Sequence, residues 1–156
     1  MATTDPENTL IMDTSKGAVT IALRPDLAPT HVARIKELAR EGFYDGLLFH
    51  RVIDGFMAQT GCPEGRGTGG SGRKLEAELS AEKHSRGTVS MARSSDPNSG
   101  DSQFFICFAE APWLDRQYTI WGEVVDGMDH VDAIERGEPP RSPDRIVSMR
   151  LAADLQ

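Results

Sequence analysis

Basic charge is scarce in this chain: 17 Lys and Arg stand against 24 Asp and Glu, for a formal net charge of −7. Contact with phosphate needs clustered Lys and Arg, so the balance argues against a nucleic-acid partner. Cysteine is scarcer still. Cys62 and Cys107 are too few for a disulfide framework or a thiolate metal site. The four histidines, at 31, 50, 84 and 130, show no metal-ligand spacing, and no metal is expected. No apolar run approaches the length of a membrane span, so no membrane partner is expected. The first residues, Met1 to Asn8, carry acid where a secretory signal carries base and lack an apolar core. These absences give the expectation of a cytoplasmic monomer with both thiols reduced.

Motifs for covalent or cofactor chemistry are equally short. There is no Gly-x-Ser-x-Gly elbow and no Gly-Lys-Ser/Thr phosphate loop. Gly65-Arg66-Gly67-Thr68-Gly69-Gly70 matches the dinucleotide fingerprint in letters, but no helical period follows it to bring a helix N-terminus to a pyrophosphate. It is a glycine-rich surface loop. Asp96 to Asp101 hints at a calcium loop, yet Gly100 sits where a ligand is wanted and Cys107 where the closing Glu belongs. It is a turn. No cofactor is expected. An enzyme made of these residues has to work by binding and polarisation.

What is present is a run of strand-sized segments. Thr9 to Asp13 and Ala18 to Arg24 form a hairpin, and Pro29-Thr30 open a helix carrying Val32, Ile35 and Leu38 on one face until Gly42. Leu47 to Ile53, Phe56 to Thr60, Thr88 to Ala92, Gln103 to Phe108, Tyr118 to Val125 and Arg145 to Leu151 have strand character. Met128, Val131 and Ile134 place a second helix before Gly137. Eight strands and two helices in hairpin-sized steps predict a mainly β domain, an antiparallel sheet closed into a barrel. The 156 residues make one domain, with 1–8 and 152–156 as flexible ends.

The chain is organised around Phe49-His50-Arg51-Val52-Ile53-Asp54-Gly55-Phe56-Met57-Ala58-Gln59-Thr60-Gly61. Asp54-Gly55 favours a tight turn between two apolar runs. Alternation puts Arg51 and Ile53 on one face of the first run, and Met57 and Gln59 on one face of the second. An unpaired buried guanidinium is costly, so Arg51 is either a structural ion-pair member or a fixed donor at the edge of an apolar pocket.

This stretch strongly resembles the cyclophilin signature. Gly67-Thr68-Gly69-Gly70, Ser90-Met91-Ala92, Ser102-Gln103-Phe104-Phe105-Ile106 and Trp113-Leu114-Asp115 follow in that family's order, and the likeness runs from about Thr9 to Leu151. The resemblance implies an eight-stranded barrel capped by two helices and peptidyl-prolyl cis-trans isomerase activity that assists protein folding. It also implies proline-containing peptides and unfolded or partly folded proteins as partners. By the same resemblance Arg51 is the catalytic arginine, and Phe56, Met57, Phe105 and Leu114 take the proline ring. Gln59 holds Arg51 and contacts substrate, while Gln103, Ala92 and the backbone at Arg93 border the peptide groove. Trp113 stands where cyclosporin A is contacted in sensitive members. Tyr118 replaces a pocket histidine and Arg93 an asparagine, and the short connection from Glu41 to Leu48 resembles the compact bacterial type. The alternative is a cyclophilin-like module that binds proline-containing segments without turnover.

Overall fold

The computed structural model describes residues 5–65 and 69–155. The centre of the glycine-rich loop, 66–68, lies outside them, as do 1–4 and 156 at the expected flexible ends. Eight strands form one antiparallel sheet: β1 (Thr9–Thr14), β2 (Gly17–Leu23), β3 (Arg51–Ile53), β4 (Met57–Thr60), β5 (Thr88–Met91), β6 (Phe104–Cys107), β7 (Ile120–Asp126) and β8 (Ile146–Leu151). Their spatial order is β3-β4-β6-β5-β7-β2-β1-β8.

The expected closed barrel is not what forms. β3 and β8 are the two edges of an open, curled sheet and share no ladder. The reason is local. Val52 and Gly137 exchange reciprocal backbone hydrogen bonds, both 2.8 Å, so the edge of β3 is taken by a loop. The edge of β8 is likewise met by a loop: the Ile146 amide donates to Leu47, and the Gly46 amide to Ile146. Single bridges such as Leu48 with Arg145 stand where a ladder would have to run.

Alternation along β1 and β2 puts Leu10, Met12, Val19 and Ile21 inside the curl with no exposure at all. They join Phe49, Phe104, Ile106 and Trp121 in the main core. β5 and β6 differ, being buried at every position. A strand buried on both sides needs a second layer outside the sheet. Here that layer is a smaller cluster of Met57, Phe105, Cys107, Ala111 and Leu114. The candidate site lies there.

Helix α1 (Pro29–Glu41) buries Val32, Ile35 and Leu38, as their spacing predicts, and ends at Gly42, whose amide bonds to the Ala39 and Leu38 carbonyls. Its N-cap, Ala28, offers no side-chain acceptor. Glu78 supplies one from a distant loop: its carboxylate accepts from the Thr30 amide (3.1 Å) and the His31 amide (2.9 Å), and lies 2.6 Å from His31 Nδ1. A carboxylate at a helix N-terminus satisfies free amides and the dipole together. Helix α2 (Met128–Asp132) is a bare turn and a half, and Ile134, expected within it, is buried just beyond its end. Near the chain ends, Pro6–Asn8 and Ala152–Leu155 are 3-10 turns, and Arg40 pairs with Glu7 and Asp154 beside them.

The His31–Glu78 pair makes stability depend on pH. Burial holds His31 below its ordinary value of 6.5, with Glu78 only partly opposing. Burial pushes Glu78 up, but the His31 ring and two amides together hold it below 4.5. Both groups bind a proton less readily folded than unfolded. Their contribution is therefore complete above about pH 6.5 and is lost as pH falls, first through His31 and then through Glu78. Urea midpoints are expected to be level from pH 8 to 6.5 and to drop below. Glu78→Gln is expected to cost roughly 1.5–3 kcal/mol at pH 7, the scale of hydrogen bonds to a charged group, and less at pH 3, well below the ordinary carboxylate value of 4.5. Equal losses at both pH values would show that the carboxylate charge is not what caps α1.

Candidate functional site

The register of four neighbouring strands assembles the site. Arg51 pairs with Gln59 and Ile53 with Met57 across β3 and β4. On the next strand Phe105 faces Gln59 and Cys107 faces Met57; beyond it Ser90 faces Phe105. Directly opposed residues share a face, so the alternation expected within each run becomes one continuous surface. The turn that sets this register is a three-residue loop in which Gly55 alone has positive φ, +74°. That is a conformation glycine adopts without strain.

Around this face is a pocket of about 320 Å³, lined by Arg51, Phe56, Met57, Gln59, Ala92, Arg93, Phe105, Trp113, Leu114 and Tyr118. Met57, Phe105 and Leu114 are buried and form its floor. The 3-10 turn Pro112–Leu114 carries Leu114 inward and leaves Trp113 63% exposed on the rim, 5.6 Å from Phe56. Arg93 closes the other side with its side chain. Its guanidinium carbon sits 4.4 Å from the centre of the Tyr118 ring, and Nε and Nη2 donate to the Gln117 carbonyl. Gln103, the remaining residue singled out in the sequence, lines an adjoining hollow of about 300 Å³ with Gly69, Gly70, Lys74, Ser94, Ser99 and Asp101. The two hollows share Gln59, Ala92 and Arg93.

A line of donors runs along the polar edge. Arg51 Nη1 donates to Gln59 Oε1 (3.4 Å), Gln59 Nε2 to Gln103 Oε1 (3.0 Å), and Gln103 Nε2 to the Gly69 carbonyl (2.9 Å). Each amide is thereby oriented by the next. Arg51 Nε also donates to Glu138 Oε1 at 3.2 Å. Glu138 was not singled out in the sequence, because it lies far along the chain in a loop and no spacing links it to Arg51.

Behind the floor is a second polar group that the sequence hides. His84 is fully buried; its Nδ1 lies 3.1 Å from Asp115 and its Nε2 2.9 Å from the Ser90 hydroxyl. The ring stacks against Phe105, 6.2 Å between centres at 17°. Burial pushes its pKa down against the pull of Asp115, and burial likewise lowers His50. Burial also pushes the Cys107 thiol up to about 12, so it is no nucleophile near neutrality. The Asp115–His84–Ser90 line has the order of a hydrolytic triad, but Ser90 has no exposure and donates to the Thr119 carbonyl. Asp96 shapes the turn expected at 96–101, accepting from the Asn98 amide.

The site thus offers a pocket with an apolar floor of Met57, Phe105 and Leu114 and the Arg51 guanidinium at its mouth. The chain belongs to the cyclophilin-type peptidyl-prolyl cis-trans isomerase family, whose model matches residues 9–151. A Brucella suis protein named "Probable peptidyl-prolyl cis-trans isomerase" is 51% identical, with the match covering 97% of this chain and 86% of the relative. A Synechococcus elongatus peptidyl-prolyl cis-trans isomerase is 42% identical over 92% and 96% of the two chains. Among solved structures, a cyclophilin from Hirschia baltica superposes with a TM-score of 0.90 at 33% identity, covering 97% of this chain and 76% of its own. A Cryptosporidium parvum cyclophilin-type isomerase, crystallised in the presence of the dipeptide Ala-Pro, has a TM-score of 0.86 at 29% identity, with coverage of 92% and 98%.

Phe105 belongs to the pocket floor and to the packing around His84, so the two roles are coupled. Phe105→Ala is expected to destabilise the fold by roughly 3–5 kcal/mol in urea titrations, the usual cost of truncating a buried aromatic. A loss under about 1 kcal/mol would mean that the ring is not packed as described.

Proposed function

We propose that this chain accelerates rotation about X-Pro peptide bonds by seating the proline ring on Met57, Phe105 and Leu114 while Arg51 donates to the prolyl nitrogen. The observation that carries this reading is the Arg51 guanidinium, held by Gln59 at the mouth of an apolar pocket large enough for one ring.

The chemistry sets what such a site must do. Resonance between nitrogen and carbonyl raises the rotation barrier to ~18–20 kcal/mol, and uncatalysed exchange takes tens to hundreds of seconds. In the twisted transition state the nitrogen recovers its lone pair. A donor aimed there binds that state better than either planar ground state, which is the requirement for catalysis. Arginine suits the role because it stays charged and its planar fork can serve a second contact, to the carbonyl oxygen. Apolar walls lower the local dielectric and strengthen that contact. Phe56 and Trp113 form the rim on one side, with Ala92, Arg93 and Tyr118 on the other. Gln59 and Gln103 continue the groove along which flanking peptide would lie. The exposed Trp113 indole is where we place a cyclosporin A contact.

Turnover near ~10³ s⁻¹ would be an acceleration of about 10⁵, or roughly 7 kcal/mol. One preorganised donor supplies about 3–4 kcal/mol; desolvation and restraint of the peptide supply the rest. Unfolded or partly folded proteins with accessible X-Pro bonds fit as substrates, and the activity would assist their folding.

Arg51→Ala is expected to lower kcat/KM by roughly 10²–10³, the value of one such donor, with its unfolding transition unchanged. Exchange NMR on a short X-Pro peptide reads the rate without a coupled protease. Parent-level exchange in the folded variant would remove Arg51 from the mechanism. No acceleration by the parent at micromolar protein would leave a binding module without turnover.

A further inference from the structure

We propose that Glu138 is the positioning residue for Arg51, a proposal that rests on reading Arg51 as the donor to the prolyl nitrogen. Its carboxylate takes the Arg51 Nε–H at 3.2 Å, while Gln59 takes one hydrogen of Nη1 at 3.4 Å. A guanidinium has five N–H groups. The two contacts fix its plane from separate edges and leave hydrogens on both terminal nitrogens for the pocket. Gln59 alone would leave the long side chain free to pivot.

The pair does little for the fold. The side chains of Arg51 and Glu138 are 46% and 56% exposed, and such surface pairs contribute little to stability. The loop around Glu138, by contrast, is anchored beyond what a surface ion pair needs. Gly137 and Val52 exchange both backbone hydrogen bonds at 2.8 Å, so Glu138 follows directly after a residue locked to the strand of Arg51. Arg136 spans the same hairpin at its turn. Its Nε donates to Asp54 (3.1 Å), its guanidinium carbon lies 4.2 Å from the Phe108 ring centre, and its Nη1 donates to the Asp132 and Ile134 carbonyls. Gly137 has φ +146°, and a Cβ there would stand 2.5 Å from Pro140 Cα, so only glycine fits this tight return. With the backbone of Glu138 held, forming the pair orders only two side chains. Orientation of the donor is what preorganised stabilisation requires.

Glu138→Ala and Glu138→Gln in the full chain separate positioning from charge. Glu138→Ala is expected to lower kcat about three- to fivefold, a fraction of the effect of a whole donor, with KM within about twofold and the melting temperature unchanged. Glu138→Gln keeps an acceptor for Nε–H and is expected to stay within about twofold of the parent. The direct signature is the Arg51 Nε–H resonance in 15N NMR, whose solvent exchange is expected to speed up about fivefold or more in Glu138→Ala. In an Arg51→Ala background Glu138→Ala is expected to cost nothing further, because the group it positions is gone. Parent-level kcat with unchanged Nε–H exchange would overturn the proposal, as would a rise in kcat, which would make Glu138 a brake. If Arg51→Ala itself kept parent activity, the donor role would fail. The Nε–H exchange rate would still decide whether Glu138 holds Arg51.

Discussion

The pairing of Arg51 with Gln59 across β3 and β4 fixes the place of everything else in the site. Side chains alternate along a strand, so a slip of one residue would send Arg51 and Met57 into the core and bring Val52 and Ala58 outward. The three-residue loop at Asp54-Gly55 sets the register, and β6 continues it through Phe105. A second layer outside the sheet then becomes possible, because β4 and β6 already present Met57, Phe105 and Cys107 to it. The pocket is the part of that layer left unfilled.

Much of this was legible in the sequence because the signal was local. Period-two alternation put Arg51 with Ile53 and Met57 with Gln59, and the helix face of Val32, Ile35 and Leu38 followed from spacing alone. The likeness to cyclophilins then linked separate blocks, and ten of the eleven residues it singled out line one pocket, with Gln103 next door. What stayed hidden depends on contacts between distant parts of the chain. Nothing near Glu138, Glu78 or Asp115 announces that they meet Arg51, His31 and His84. Closure of the barrel is not legible in the sequence for a related reason. Strand count suggests a ring, but whether the edges pair depends on which loop reaches them first, and here Gly137 occupies the edge of β3. Arg93, expected to act through its backbone, also contributes its side chain as a wall by stacking on Tyr118.

The polar groups divide by burial into two kinds. His84 and Ser90 form a buried hydrogen-bonded pair beneath Phe105 that supports the floor, with the partly exposed Asp115 at its outer end. Arg51, Gln59 and Gln103 form an open line at the surface with donors to spare. Acid–base chemistry would draw on the first kind, and chemistry by polarisation on the second. The pocket opens onto the second.

That division makes the pH dependence of the rate the most direct test of the central claim, that the working group is a fixed donor which transfers no proton. Arginine keeps its charge throughout the accessible range. Burial holds His50 and His84 below the ordinary histidine value, so both stay neutral near and above neutrality. Accordingly kcat/KM, measured by exchange NMR, is expected to vary less than about threefold between roughly pH 6 and pH 8.5, a span that covers free histidine's pKa. A bell or limb would report an essential acid or base. A tenfold fall through the histidine range, with the fold intact, would contradict the account and return His84 or His50 to the mechanism.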